Sequence, residues 1–249
     1  MILARDAAGF VKHGAQLVLE AAAAAYRDHG RFIFCLTGGS TPKKLYELLA
    51  EPYYKERIDW ANTIVLFGDE RCVPPTDDQS NYKMAKDALL SKVPLPEKNI
   101  FRMAGEMTPP SEGAKAYEQS LKALFKGYFP KIDLLLLGVG DDGHIASLFP
   151  NTEALKETEK WVVANRVEKL SSNRITLTLP VINNARRVLF LVSGEAKAGV
   201  IKEILRSDLP KTRFPAQLVA TYEGEVTWLL DKAAMSKCPD ELRHKAFHL

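Results

Sequence analysis

The chain has 249 residues, 46% of them hydrophobic, and carries 34 Lys and Arg against 31 Asp and Glu for a formal charge of +3. The length suits one α/β domain over residues 1–249, and the apolar fraction excludes a disordered chain. The charge balance excludes general attraction to nucleic acid or an anionic membrane, so any anion specificity must come from locally placed cations.

Apolar residues at helical spacing predict a helix from Ala7 to Arg27, with Asp6 as its N-cap. Ala21 to Ala25 resembles a signal-cleavage region, but Asp6, Lys12, His13 and Glu20 interrupt the stretch before it. The run Phe32 to Leu36 predicts a buried strand. It feeds Thr37-Gly38-Gly39-Ser40-Thr41-Pro42, after which Leu45, Leu48 and Leu49 mark a helix with Thr41 as cap and Pro42 first. Thr63 to Phe67 predicts a strand, Gly68 to Asn81 a polar loop, and Asn81 to Ser91 a helix. A short strand, Ile100 to Met103, precedes a helix from Ser111 to about Phe125. Ile132 to Leu137 is the most apolar strand, and Gly138 to Asn151 a second long loop. Strands follow at Trp161 to Asn165, Arg174 to Leu179 and Val188 to Val192, then a helix from Ala196 to Arg206 and a closing strand from Val226 to Leu230.

Apolar strands alternating with amphipathic helices define an α/β, Rossmann-like domain, a mainly parallel sheet with helices on both faces. No apolar run is long enough to span a bilayer. Cys35, Cys72 and Cys238 are scattered without a C-x-x-C pair, which argues for a reducing compartment and against a disulfide framework or a Cys-based zinc site. The expected location is the cytoplasm.

In such sheets ligands sit beyond the carboxyl ends of the strands. Three loops there are rich in Gly, charge and His. In the first, Gly38 and Gly39 let the backbone approach an anion, and Ser40 and Thr41 add hydroxyl donors at a helix start. A plain tight turn with a cap explains that loop equally well. The second, Gly68-Asp69-Glu70-Arg71-Cys72, offers a guanidinium for an oxyanion or phosphate, or else a surface charge cluster. Nothing beside Cys72 supplies a base, so it is not read as a nucleophile.

The third loop opens as G-x-G-x-x-G from Gly138 to Gly143. The dinucleotide reading fails because Pro150 stops the long helix that the fingerprint must open. What remains is His144 behind Gly143, with Asp142 placed to orient the imidazole so that its other nitrogen acts as a base. Asp141, Asp142 and His144 lack the spacing of a metal site, and no metal or cofactor is expected. Arg174 begins an apolar strand. Lys197 sits near a helix start, where a cation is unfavourable unless an anion lies close.

Together these segments resemble the 6-phosphogluconolactonase family, a branch of the glucosamine-6-phosphate isomerase/deaminase-like fold group. The match runs in order through Leu36 to Pro42, Gly68 to Arg71, Val73-Pro74, Ser80-Asn81-Tyr82, Gly138 to Pro150, Arg174 to Asn183 and Ser193 to Ala198. Deaminases of the group carry an aromatic after the Asp-Glu pair and Phe-Asn-Glu-Pro after Gly-His-Ile-Ala. Arg71 and Ser147-Leu148-Phe149-Pro150 stand there instead. The resemblance implies a hydrolase of a sugar phosphate lactone, itself expected to be a monomer, with the phosphate on Gly39 to Thr41 assisted by cations such as Lys197 and Arg174; which cation meets the phosphate and which the ring is not decided by sequence. It further implies His144 as general base, Asp142 as its orienter, Arg71 at the developing oxyanion, and Asp69 and Gly143 against the substrate. An amino-sugar-phosphate deaminase and a non-catalytic sugar-phosphate sensor are the competing readings.

Overall fold

A computed structural model describes residues 1–206, 213–244 and 247–248. Strand β1 (Ile2–Ala4) precedes helix α1 (Ala7–His29), whose first turn is capped by Asp6 accepting from the Gly9 N–H at 2.7 Å. Strand β2 (Phe32–Leu36) leads into α2 (Ser40–Leu49) and the short α3 (Pro52–Lys55). Next come β3 (Thr63–Phe67), β4 (Asp69–Arg71), α4 (Asn81–Ala85), α5 (Pro110–Leu124) and β5 (Leu134–Leu137). The second half holds β6 (Val162–Val167), β7 (Ser172–Leu177), α6 (Leu179–Asn183), β8 (Arg187–Val192) and α7 (Ala198–Ile204). Strand β9 (Glu225–Asp231), α8 (Asp240–His244) and β10 (Phe247–His248) end the described chain.

Seven strands pair in parallel in the order β10-β1-β9-β8-β5-β2-β3. Because side chains alternate along a strand, each central strand feeds two cores. Phe32, Phe34, Leu36, Leu134 and Leu136 pack under α1 and α2, while Ile33, Cys35, Leu135 and Leu137 pack against α5, α6 and α7. The helices therefore cover both faces, as the alternating pattern predicts. No helix among the described residues is long and apolar enough to cross a membrane.

Two expectations need correction. The polar loop expected over Gly68 to Asn81 opens with a short strand, Asp69–Arg71, and the strands near residues 162 and 174 do not join the parallel sheet. They form a second, antiparallel sheet in the order β4-β7-β6, which shares the second core through Ile175 and Leu177. Gly68 joins the two sheets: its N–H donates to Leu36 O and its carbonyl accepts from Leu177 N, both at 2.9 Å. Ile100 makes only an isolated bridge to Val65 rather than starting a strand.

Smaller differences have local causes. Helix α2 starts at Ser40 with Gly39 as its cap, because Gly39 at φ 112° turns the chain two residues earlier than Thr41 would. The helix from Asn81 widens into a π-helical turn over Lys86–Leu90, and that from Ala196 begins with a 3₁₀ turn, Glu195–Lys197. Strand β9 does not close the chain, since β10 pairs beyond β1 at the sheet edge.

Candidate active site

The order of the large sheet sets where a site can form. From β2 the chain moves outward to β3, then returns to place β5 on the other side of β2. The loops leaving the carboxyl ends of β2 and β5 therefore diverge, which opens a crevice at that switch point. There a cavity of about 320 Å³ is walled by Thr37, Gly38 and Gly39 after β2 and by Gly138, Gly140, Asp141 and His144 after β5. Asp69, Arg71, Asn81 and Lys197 complete it. A smaller cleft of about 180 Å³ continues past Gly39 to Ser40, Thr41, Ser193 and Lys197, at the start of α2.

His144 is fixed from three directions. Its Nδ1 lies 2.6 Å from Asp142 Oδ1, and its ring stacks on Phe149 with centroids 3.9 Å apart. On the third side the Gly140 backbone passes so close that any Cβ would overlap the imidazole. Gly143, at φ 75°, lets the loop turn back, and a Cβ there would run into Phe214. The Asp142 contact makes Nδ1 the engaged nitrogen and leaves Nε2 as the nitrogen available to a ligand in the cavity. Burial alone would push the Asp142 carboxyl up, but bonds from His144 and from Lys169 at 3.0 Å outweigh it and hold the group at about 2. Asp142 thus faces His144 as a carboxylate throughout the neutral range.

The second sheet places Arg71 of β4 directly opposite Arg174 of β7. Neither Nε, though buried, has a hydrogen-bond partner, while Arg71 Nη1 donates to Gln79 O at 2.6 Å. Burial and the neighbouring Arg71 both act against the charge on Arg174 and push its guanidinium down from its usual value. Of the two guanidiniums, Arg71 lines the cavity and Arg174 does not.

Asp69 is buried, with Oδ2 accepting from Ser147 Oγ at 2.7 Å and Oδ1 from Asn81 Nδ2 at 3.2 Å. Glu70 points away from the cavity, accepting from Arg71 N, Asn81 N, Tyr82 N and Ser80 Oγ at 2.7 to 3.0 Å. It ties the start of α4 to β4. Burial, its largest influence, raises the Cys72 thiol above its usual value, which fits no nucleophilic role.

Lys197 does have its anion. Its Nζ lies 2.6 Å from Asp141 Oδ1, and that bond lowers the Asp141 carboxyl. The loop carrying Lys197 is set by buried Asp231, which accepts from Ala234 N at 2.7 Å and from Gly194 N at 3.1 Å. The sequence reading leaves out Asn81, Asp141 and Gly140 as cavity-wall residues, and Lys169 and Asp231 as supports. Gly140 was the most accessible of these, since a glycine four positions before His144 leaves room for a returning ring. Lys169 had no sequence signal. Among the described residues no group of three or more His, Cys, Asp or Glu converges as a metal site.

The chain belongs to the family of glucosamine-6-phosphate isomerases and 6-phosphogluconolactonases, whose profile matches residues 5–228. Within it, a 6-phosphogluconolactonase of Synechocystis sp. is 40% identical over 213 residues, covering 84% of this chain and 86% of the relative. The solved structure of a 6-phosphogluconolactonase from Trypanosoma cruzi superposes with a TM-score of 0.83 at 31% identity, covering 94% of this chain and 95% of that one. A monomeric glucosamine-6-phosphate deaminase shares the fold alone, with a TM-score of 0.79 at 20% identity over 95% and 99% of the two chains. The fold is therefore common to both chemistries, and the site must decide between them.

Proposed function

We propose that this chain hydrolyses 6-phospho-D-glucono-1,5-lactone to 6-phospho-D-gluconate, with His144 as general base and without a metal. The observation that carries this reading is His144 on the cavity wall, bonded through Nδ1 to Asp142, with Arg71 lining the same cavity. His144 Nε2 takes a proton as water oxygen bonds to the lactone carbonyl carbon, and Arg71 faces the oxyanion that forms. Collapse of that intermediate breaks the bond to the ring oxygen, which receives the proton back from the imidazolium. The sum is one water consumed, the ring opened and the base restored.

The phosphate is assigned to the start of α2, where Gly39, Ser40 and Thr41 meet Lys197. Arg174 adds a second charge beside Arg71, and Asp69 offers a carboxylate to a sugar hydroxyl. A positioned base contributes about 10²–10⁴-fold and one oxyanion donor about 10²–10³-fold. Those sizes suffice for an activated ester.

Turnover of fresh lactone, corrected for spontaneous hydrolysis and run with chelator present, tests the reading. His144→Ala should lower kcat by about 10²–10⁴-fold in a folded protein. Arg71→Lys should lower it by about 10²-fold, because a point charge cannot reproduce the planar fork. Wild-type activity in His144→Ala removes the base, activity lost only to chelator adds a metal, and ammonia release from glucosamine 6-phosphate replaces the reaction.

A further inference from the structure

Asp142 has two carboxylate oxygens, and two partners divide them. Oδ1 holds His144 Nδ1 at 2.6 Å, and Oδ2 accepts from Lys169 Nζ at 3.0 Å. Lys169 stands in the 3₁₀ turn Glu168–Leu170 that joins β6 to β7. That hairpin meets the His144 loop a second time, where Ser147 N donates to Thr176 Oγ1 at 3.2 Å and Asn165 Nδ2 donates to Ser147 O at 2.9 Å. The same hairpin carries Arg174 to its place opposite Arg71. The turn bearing Lys169 is thus anchored to the loop it touches.

We propose that Lys169 is a positioning residue for the base, fixing the Asp142 carboxylate and offsetting part of its charge so that His144 stays unprotonated further into the acid range. The inference rests on the reading of His144 as general base. A carboxylate bonded through one oxygen can rotate, and a bond to the other oxygen holds the first on Nδ1. A full negative charge beside an imidazole favours the imidazolium, which accepts no proton. A cation on the same carboxylate weakens that preference.

The other charged groups facing the pair are largely balanced. Asp141 is bonded to Lys197, and Arg166 to Glu168 beside the hollow behind Asp142. Glu153 also borders that hollow, and Asp69 and Arg71 border the substrate cavity. Among the described residues Lys169 is the one lysine or arginine bonded to Asp142.

Lys169 does not line the substrate cavity, so Lys169→Met should bind lactone with an unchanged KM. The acidic limb of its kcat/KM profile should move to higher pH by about half a unit, lowering activity near pH 6 about threefold. Lys169→Arg should restore the limb. The side chain is 65% exposed, so about 1 M salt should move the wild-type limb towards that of the Met variant and leave the variant in place. Superimposable limbs, or an equal loss at every pH that Arg does not rescue, overturn the proposal. Failure of the underlying reading is distinct: His144→Ala would then remain active, whereas failure of this inference leaves His144→Ala inactive and only the Lys169 series silent.

Discussion

Asp142 is the residue whose ionisation joins the stability of the site to its chemistry. Its carboxyl stands at about 2 in the folded chain against an ordinary 3.8. A lowered carboxyl stabilises the fold above its unfolded value, and that contribution is lost as pH falls through the folded one. The window is therefore about pH 4 to 2. Asp142→Asn has no such proton to take up, so its urea midpoint should fall less steeply across that window than the wild type's. Parallel curves would show that the carboxylate contributes nothing to acid stability. The His144–Asp142 pair was legible in the sequence because it is local, two positions apart among glycines. Asn81 and Lys169 were not, since each reaches the site only through a fold-level pairing: Asn81 by approaching Gly38 and Lys169 by the hairpin turn.

At the scale of elements, the second sheet is where sequence and structure part. Strand β4 is three residues, Asp-Glu-Arg, with no apolar alternation to announce it. The β6–β7 turn lacks the Asn-Gly or Gly that signals a hairpin, and Ser171 instead adopts φ 45°. Within the parallel sheet β2, β3, β5, β8 and β9 were legible as largely apolar runs, whereas β1 and β10, three and two residues long, were too short to be read. Glu70 holds the less legible β4 region together, using one buried carboxylate to bind three backbone N–H groups and Ser80. Glu70→Ala would leave those donors unpaired inside the protein. The expected cost is about 3 kcal/mol or more, read as a lower urea midpoint with an unchanged slope. Activity should fall as well, because Arg71 and Asn81 flank the tie. A midpoint within error of the wild type's would show that α4 is held by its packing instead.

For the molecule as a whole, the architecture keeps like charges close at the site, and this sets a trade between stability and binding. Arg71 and Arg174 face each other across two strands, and their charges cannot be relieved by losing a proton at neutral pH. The two charges therefore repel each other, and an anionic ligand should stabilise the entire fold by linkage. At a hundred times its dissociation constant, 6-phosphogluconate should add about 2.7 kcal/mol, a rise in Tm of roughly 5–10 °C for a chain of this size. Arg174→Gln removes one of the opposed charges. Without ligand the variant should melt about 1–3 °C above the wild type, and the ligand-induced rise should shrink. Thermal unfolding of both proteins, with and without the product, separates the two effects. If Arg174→Gln melts lower without ligand, its guanidinium is a net structural support despite its neighbour. If the ligand-induced rise is undiminished, the anion is held by Lys197 and the start of α2 without help from Arg174.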